Sequence, residues 1–446
     1  MGVRSESALA TLPFLSLPDP KVDGEGALDP LGLATIGEGL ADWLLPGFTA
    51  RMVRPRFVTA IAVSAVVCEG LEDRLAADEQ TPVNLVFEWL VVEGFARAAE
   101  RAVVRGTPGI DKATRAKTDG RPMCAKAYLK TPAVFGFHGV YRRVAEHLGV
   151  IDDELRLRDN GYELVRAWER EQGLQGFLDA AAGAGPGTEV RDRWRAALRD
   201  GMQSGYTARG GAWRGFAELA GHLAPTQVGK HEATVIARLI KTMDAAGVTG
   251  EVYALLGETS LLDDDGPEHL VAQLLMRKAS AEVSGRLRTI DAFEQACAVL
   301  EWAFERLRFL SSARGATALP PYAFATDAAV APVVAQVQQL FEAAEALIAQ
   351  APFKPQRLFT ELASRFGGVA TAEQLFEALL VRHAEVQKAK PPDGKREWFE
   401  RAPNGSIFIR PPYRLASGRE FEHRWNRPYR LSSVRSFCRD LKGAIQ

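Results

Sequence analysis

A mainly α protein of several domains, with little β structure, is the fold class this sequence predicts, and three observations predict it. Apolar residues recur at three- and four-residue spacing in segment after segment, the mark of helices with one buried face. Long apolar strand runs are almost absent. At 446 residues the chain exceeds one ordinary domain, so about two to four are expected. Hydrophobic residues at 47% and charged residues at 25% are those of a globular chain rather than a disordered one. Ala, Gly and Arg are abundant, as in GC-rich bacterial coding.

In chain order, residues 1–30 are rich in Pro, Gly and Asp and are expected to form an extended arm. One early Arg without a continuous apolar core does not make a signal peptide. Glu6 stands where a myristoylation signal needs Ser or Thr. A helical N-terminal domain is expected over 31–110, where Leu31, Leu33, Ile36, Leu40 and Leu44 have helical spacing. Two more helices follow at roughly Pro55–Ala76 and Pro82–Val104. The longest apolar run, FVTAIAVSAVVC from Phe57 to Cys68, is well short of the ~18–20 residues of a bilayer span and reads as a buried helix. No membrane association and a cytoplasmic location are expected.

A separate small domain is expected over 111–180. The stretch AAAGAGPGTE, from Ala180, reads as a flexible joint. A helical middle domain over 181–350 carries patterns such as ATVIARLIKTMDAAG and TIDAFEQACAVLEWAFERLRFLSS and closes on an amphipathic helix over about Ala329–Gln350. From 351 to 446 the chain reads helix, Gly-Gly turn, helix, then a Pro-, Arg- and aromatic-rich remainder with one strand-like run, SIFIR.

The small domain contains FGFHGVYRRVAEHLGVIDDELRLRDNGYELVRAW, Phe135 to Trp168. Val140, Val144 and Leu148 share one helix face with Tyr141 beside it, and Gly149 is placed for the left-handed residue that ends such a helix. Leu155 and Leu157 then alternate with Arg156 and Arg158 as a short β-run, Asn160-Gly161 suggests a tight turn, and Leu164, Val165 and Trp168 resume the helical period. Helix, hairpin, helix in this order resembles the back half of a winged-helix domain of the kind common in bacterial DNA-binding proteins, over about fifty residues. The resemblance implies a recognition helix whose Arg142, Arg143 and His138 reach base edges, with Arg156 and Arg158 on the wing and Lys126 and Lys130 ahead of the helix. Asp152, Asp153 and Glu154 would repel phosphate at the wing's start.

Regional charge favours a polyanionic partner. Over 112–143 there are eight basic residues, Lys112, Arg115, Lys117, Arg121, Lys126, Lys130, Arg142 and Arg143, against Asp119 alone, a surplus of +7 in a chain of net −1. Over 380–446 fifteen Lys or Arg face seven Asp or Glu, a surplus of +8 that leaves −9 on the rest. Lys388, Lys390, Lys395, Arg396, Arg410, Arg414, Arg424, Arg427 and Arg430 are interleaved there with Trp398, Tyr413, Trp425 and Tyr429, a mix suited to phosphate pairing and base stacking. A second winged-helix-like module is one reading of this region; the other is a lid whose arginines pair with the acidic body.

Catalytic signatures are missing. There is no GxSxG elbow, HExxH or dinucleotide-binding glycine motif. APTQVGKHE fails as a phosphate loop, with Ala224 for the first Gly and His231 for the magnesium-binding Ser or Thr. LLDDDGPEH reads as a solvated turn before a helix, and Asp393 and Lys395 in PPDGK match half of a nuclease motif without its strands. Cys68, Cys124, Cys297 and Cys438 lie far apart and read as small buried hydrophobes, so no metal or cofactor is expected. The sequence therefore predicts a DNA-binding, non-enzymatic protein with double-stranded DNA, or another nucleic acid, and protein partners. Its size resembles a component of a multi-protein DNA-processing or anti-phage defence system. The alternatives are a scaffold or adaptor and an unrecognised nuclease.

Overall fold

A computed structural model describes residues 29–179, 185–258, 266–391 and 393–446. Among them it has 18 α-helices, 60% helix overall, and one two-stranded sheet, the mainly α architecture expected. The expected N-terminal arm, apart from its last two residues, and most of the Gly-rich joint lie outside the described residues, as do Leu261–Asp265 of the acidic cluster.

Helices α1 (Ala34–Leu44), α2 (Arg56–Cys68) and α3 (Val83–Ala98) open the chain. The apolar run of the sequence is α2, and every residue of it but Ala65 is buried. A helix apolar all round belongs inside. The one strong charge it buries is partnered: Arg56, 1% exposed, donates to Glu232 Oε1 at 3.2 Å and to the carbonyls of His222 and Ala224. The Thr59 hydroxyl donates to the same carboxylate at 2.7 Å. Among the described residues no helix is long and apolar enough to cross a membrane.

Next come α4 (Ile110–Thr118), the single turn α5 (Pro132–Phe135), α6 (Phe137–His147) and α7 (Asp159–Glu171). The end of α6 is the one the spacing predicts. Gly149 has φ 65°, its N–H donates to Glu146 O, and Val150 N–H donates to Ala145 O, both at 2.9 Å. The turn beyond it differs. A single bridge joins Ile151 to Leu157, and the carboxylate of Asp152 accepts from the amides of Glu154 and Arg156 while Leu155 takes φ 65°. Asn160 and Gly161 instead lie in the first turn of α7. Asn160 Nδ2 donates to Leu148 O at 2.8 Å, satisfying a carbonyl left over at the end of α6. Gly161 is there for space, since a Cβ would stand 2.2 Å from Val150 O.

The middle of the chain forms α8 (Pro186–Ser204), α9 (Arg214–Leu223), α10 (Lys230–Lys241), α11 (Val248–Leu256), α12 (Glu268–Met276) and the 33-residue α13 (Ala281–Ala313). After α14 (Pro321–Ala325), α15 (Ala331–Ile348) lies along α13. The Gly-Gly turn joins α16 (Phe353–Phe366) to α17 (Ala372–Lys388), whose Thr371 and Gln374 form a reciprocal cap. Strands β1 (Phe399–Arg401) and β2 (Ile407–Ile409) pair antiparallel, and α18 (Leu431–Ile445) follows. Packing crosses the boundaries that composition suggests: α1 lies against α13 and α16, α18 against α10 and α11, and the buried apolar residues form one contiguous core.

Between the sheet and α18, residues 413–430 run back along α13 as an extended strap. Arg308 donates to Tyr413 O, Leu415 N–H to Ser312 Oγ, Trp302 Nε1 to Arg419 O at 3.0 Å, and Trp425 Nε1 to Asp291 at 2.9 Å.

His383 of α17 ties the first described residues to the sheet. Its Nδ1–H donates to Pro30 O at 3.0 Å, and its Nε2 accepts from Trp398 N–H at 2.9 Å, so both nitrogens are used by the neutral ring. Burial holds this imidazole down at about 4, from 6.5, against the opposing pull of the Pro30 carbonyl. The unfolded chain takes up the proton near 6.5 while the folded one resists it to about 4. Stability is therefore full above that window and falls as pH drops through it, by up to about 3 kcal/mol. Urea unfolding between these pH values is expected to show this loss, and His383→Gln is expected to remove it. A slope identical in the two proteins would contradict the assignment.

Candidate nucleic-acid interface

In the helix that the sequence singles out for base reading, α6, the residues Phe137, His138, Val140, Tyr141, Val144 and Ala145 are all buried. His138, 3% exposed, does not reach solvent. Its Nδ1 lies 2.8 Å from Glu88 Oε2 and its Nε2 3.0 Å from Ser64 Oγ. Glu88 also accepts from Phe137 N–H, His138 N–H and the Tyr128 hydroxyl, at 3.1, 3.0 and 2.6 Å. Gly136 leaves room for that carboxylate, because a Cβ would stand 2.0 Å from Glu88 Oε1. The order Ser64, His138, Glu88 resembles a nucleophile with its base and orienting acid. Ser64 is only 2% exposed, however, and the cavity beside it, about 30 Å³, has room for little more than one water. The group is a clamp on the N-terminus of α6.

The arginines of α6 are engaged as well. Arg142 donates to Glu146 at 2.6 Å and to the Asp153 carbonyl, and Arg143 holds Asp42 through two 2.9 Å contacts. On the hairpin Arg156 pairs with Glu154, whereas Arg158 is exposed and has no ion pair among the described residues. His138 is thus corrected from a base-edge contact to a buried partner of Glu88 on α3, while Arg142 and Arg143 stay partly exposed in surface pairs with Glu146 and with Asp42 of α1.

The strap accounts for much of the C-terminal charge. Arg427 Nη1 meets Glu294 at 2.8 Å, its Nη2 meets Glu301, and Gly37 of α1 leaves space for its stem. Arg430, 2% exposed, donates to Asp42, Glu38 and the Leu45 carbonyl. Arg410 lies 3.4 Å from Glu400, Arg424 4.0 Å from Glu422, and exposed Arg414 reaches Gly315 O at 3.5 Å. The aromatics point inward: Trp398 stacks on Tyr413 at 4.5 Å and carries Arg308 on its ring, and Tyr429 is buried. Arg427 and Arg430 are corrected from DNA contacts to internal ion pairs. Lys388, Lys395 and Arg396 line an open cleft of about 880 Å³ with Asp393, Glu385 and Glu397, and Lys390 is half-buried beside it. The cleft mixes both signs. Among the described residues no group of His, Cys, Asp or Glu is arranged to hold a metal ion.

A different face keeps its cations open. Four segments converge there. The Tyr128 ring fits against Gly109, where φ is 78° and a Cβ would stand 2.3 Å from the ring. Gly106 packs on Val53 and Arg54, and Arg54 Nε donates to Arg105 O at 3.1 Å. The Tyr141 hydroxyl accepts from Val53 N–H and Arg54 N–H at 2.9 and 3.0 Å. The Arg51 guanidinium lies 4.2 Å over the ring of Phe135. Arg51, Arg105, Lys112, Arg115, Lys126 and Lys130 are exposed on these segments with no carboxylate partner among the described residues. Lys117, which donates to Ala96 O, and Arg121, paired with Asp119, border them. On α4 the buried Ala113 and Ala116 turn Lys112 and Arg115 outward.

Lys126 and Lys130, which the sequence named as nucleic-acid contacts, are exposed. Lys112 and Arg115 entered the charge count but not the proposed site, and Arg51, Arg105 and Phe135 carried no signal, because a lone Arg or Phe acquires meaning only from its neighbours in space. Comparison with family models, curated proteins and solved structures finds no match.

Proposed function

We propose that the protein binds nucleic acid through the cationic face formed by Arg51, Arg105, Lys112, Arg115, Lys126 and Lys130. One observation carries this reading: among the described residues those six exposed side chains have no carboxylate partner, while Arg427 and Arg430 are buried in ion pairs and Arg142 and Arg143 are paired at the surface. Open cations displace the counterions condensed on a phosphate backbone, and that release supplies most sequence-independent affinity. The sequence resemblance of residues 135–168 to winged-helix DNA-binding proteins supports trying duplex DNA first, and the size of the chain supports looking for protein partners in a DNA-processing or anti-phage assembly.

The test is titration of the whole protein with labelled DNA at several salt concentrations. With about four to six phosphate contacts, log affinity is expected to fall against log salt with a slope of about −3 to −5. No binding at ~50 mM salt, where phosphate contacts are strong, would contradict the proposal and favour an adaptor protein.

A further inference from the structure

We infer that this face takes single-stranded nucleic acid in preference to duplex, with unpaired bases stacked beside the lysines; the inference rests on the nucleic-acid reading above. Two large aromatic rings stand in solvent at the edges of the basic segment. Phe135 is 43% exposed and Tyr206 is 44% exposed. Tyr206 is held against the segment by a bridge to Cys124, reinforced by Thr207 N–H donating to Met123 O at 2.9 Å. The backbone between these anchors carries Lys126 and Lys130, both exposed.

Neither ring is there for the core. Phe135 ends the single turn α5, none of whose residues is buried, and Val134 beside it is 48% exposed. What Phe135 does hold is the Arg51 guanidinium, flat enough to stack on the ring with one face and on a base with the other. Exposed aromatics add nothing to contact with a duplex backbone, whose bases already stack on each other. Against an unpaired strand each ring offers a platform, and the lysines between track the phosphates. Reading the bases of a duplex needs an element free to enter a groove, whereas phosphate contact alone does not. The candidate element, α6, has its arginines held by Asp42, Glu146 and the Asp153 carbonyl.

Fluorescence anisotropy with a labelled oligo-dT strand of about 20 nucleotides, and with a duplex of equal length, tests the preference. The single strand is expected to bind at least about 10-fold tighter. Phe135→Ala is expected to weaken single-strand binding by about 5- to 150-fold while leaving the duplex within about twofold, and Phe135→Trp to keep the preference. Because the Phe135 ring is exposed, unchanged urea midpoints are expected for both variants. Equal or tighter duplex binding, or an equal loss on both probes in Phe135→Ala, overturns the single-strand preference alone. Absence of binding to either probe overturns the nucleic-acid reading together with it.

Discussion

Arg427→Ala is expected to cost about 3–5 kcal/mol of stability, the largest loss of any strap substitution. The guanidinium sits between Glu294, fully buried, and Glu301, with the Phe293 ring 5.3 Å beneath it. Glu294 also accepts from the Tyr429 hydroxyl at 2.5 Å and from Asn426 N–H at 2.8 Å, and these neutral donors do not replace a positive charge. Truncation leaves a carboxylate without its cation in a low-dielectric site, and a void where the stem passes Gly37. Removing both charges is a different matter. In Arg427→Met with Glu294→Gln no ion is stranded, and most of the loss is expected to return. Urea denaturation of the single and double variants is the measurement. A single-variant loss below about 1 kcal/mol, typical of an exposed pair, would show that the strap does not depend on this contact.

Helices were legible in the sequence wherever one periodicity decided the outcome. The run from Phe57 to Cys68 has no polar face and lies inside, Gly149 ends α6 in the left-handed region, and the Gly-Gly turn separates α16 from α17. Short-range cues misled where a longer-range contact was stronger. Asn160-Gly161 has the composition of a turn, yet the Leu148 carbonyl and the close approach of Val150 place it inside α7. A helical wheel puts His138 near the polar side of α6, and only the fold brings Glu88 and Ser64 to it. The surplus of +8 at the C-terminal end was plain as a count. Its partners, Asp42, Glu294 and Glu301, stand more than a hundred residues away in the chain, so no local pattern distinguishes Arg427 from the exposed Lys126.

That distinction produces the second large effect. Replacing Arg51, Arg105, Lys126 and Lys130 together by Ala is expected to lower DNA affinity on the order of 100-fold at low salt, with the unfolding midpoint nearly unchanged, since among the described residues all four are exposed and none is in an ion pair, and Arg51 gives up only its contact with the exposed Phe135 ring. Replacing Arg142 and Arg143 by Ala is expected to do the opposite, loosening the contacts to Asp42 and Glu146 while leaving DNA affinity within about threefold. The slope of log affinity against log salt separates the two directly, because it counts the cations at the phosphates and ignores changes in folding. A slope shallower by about three units in the four-residue variant, and unchanged in the α6 variant, is the expected result. Wild-type slope in the four-residue variant, or a loss of slope only when Arg142 and Arg143 are removed, would contradict it and return the binding site to α6.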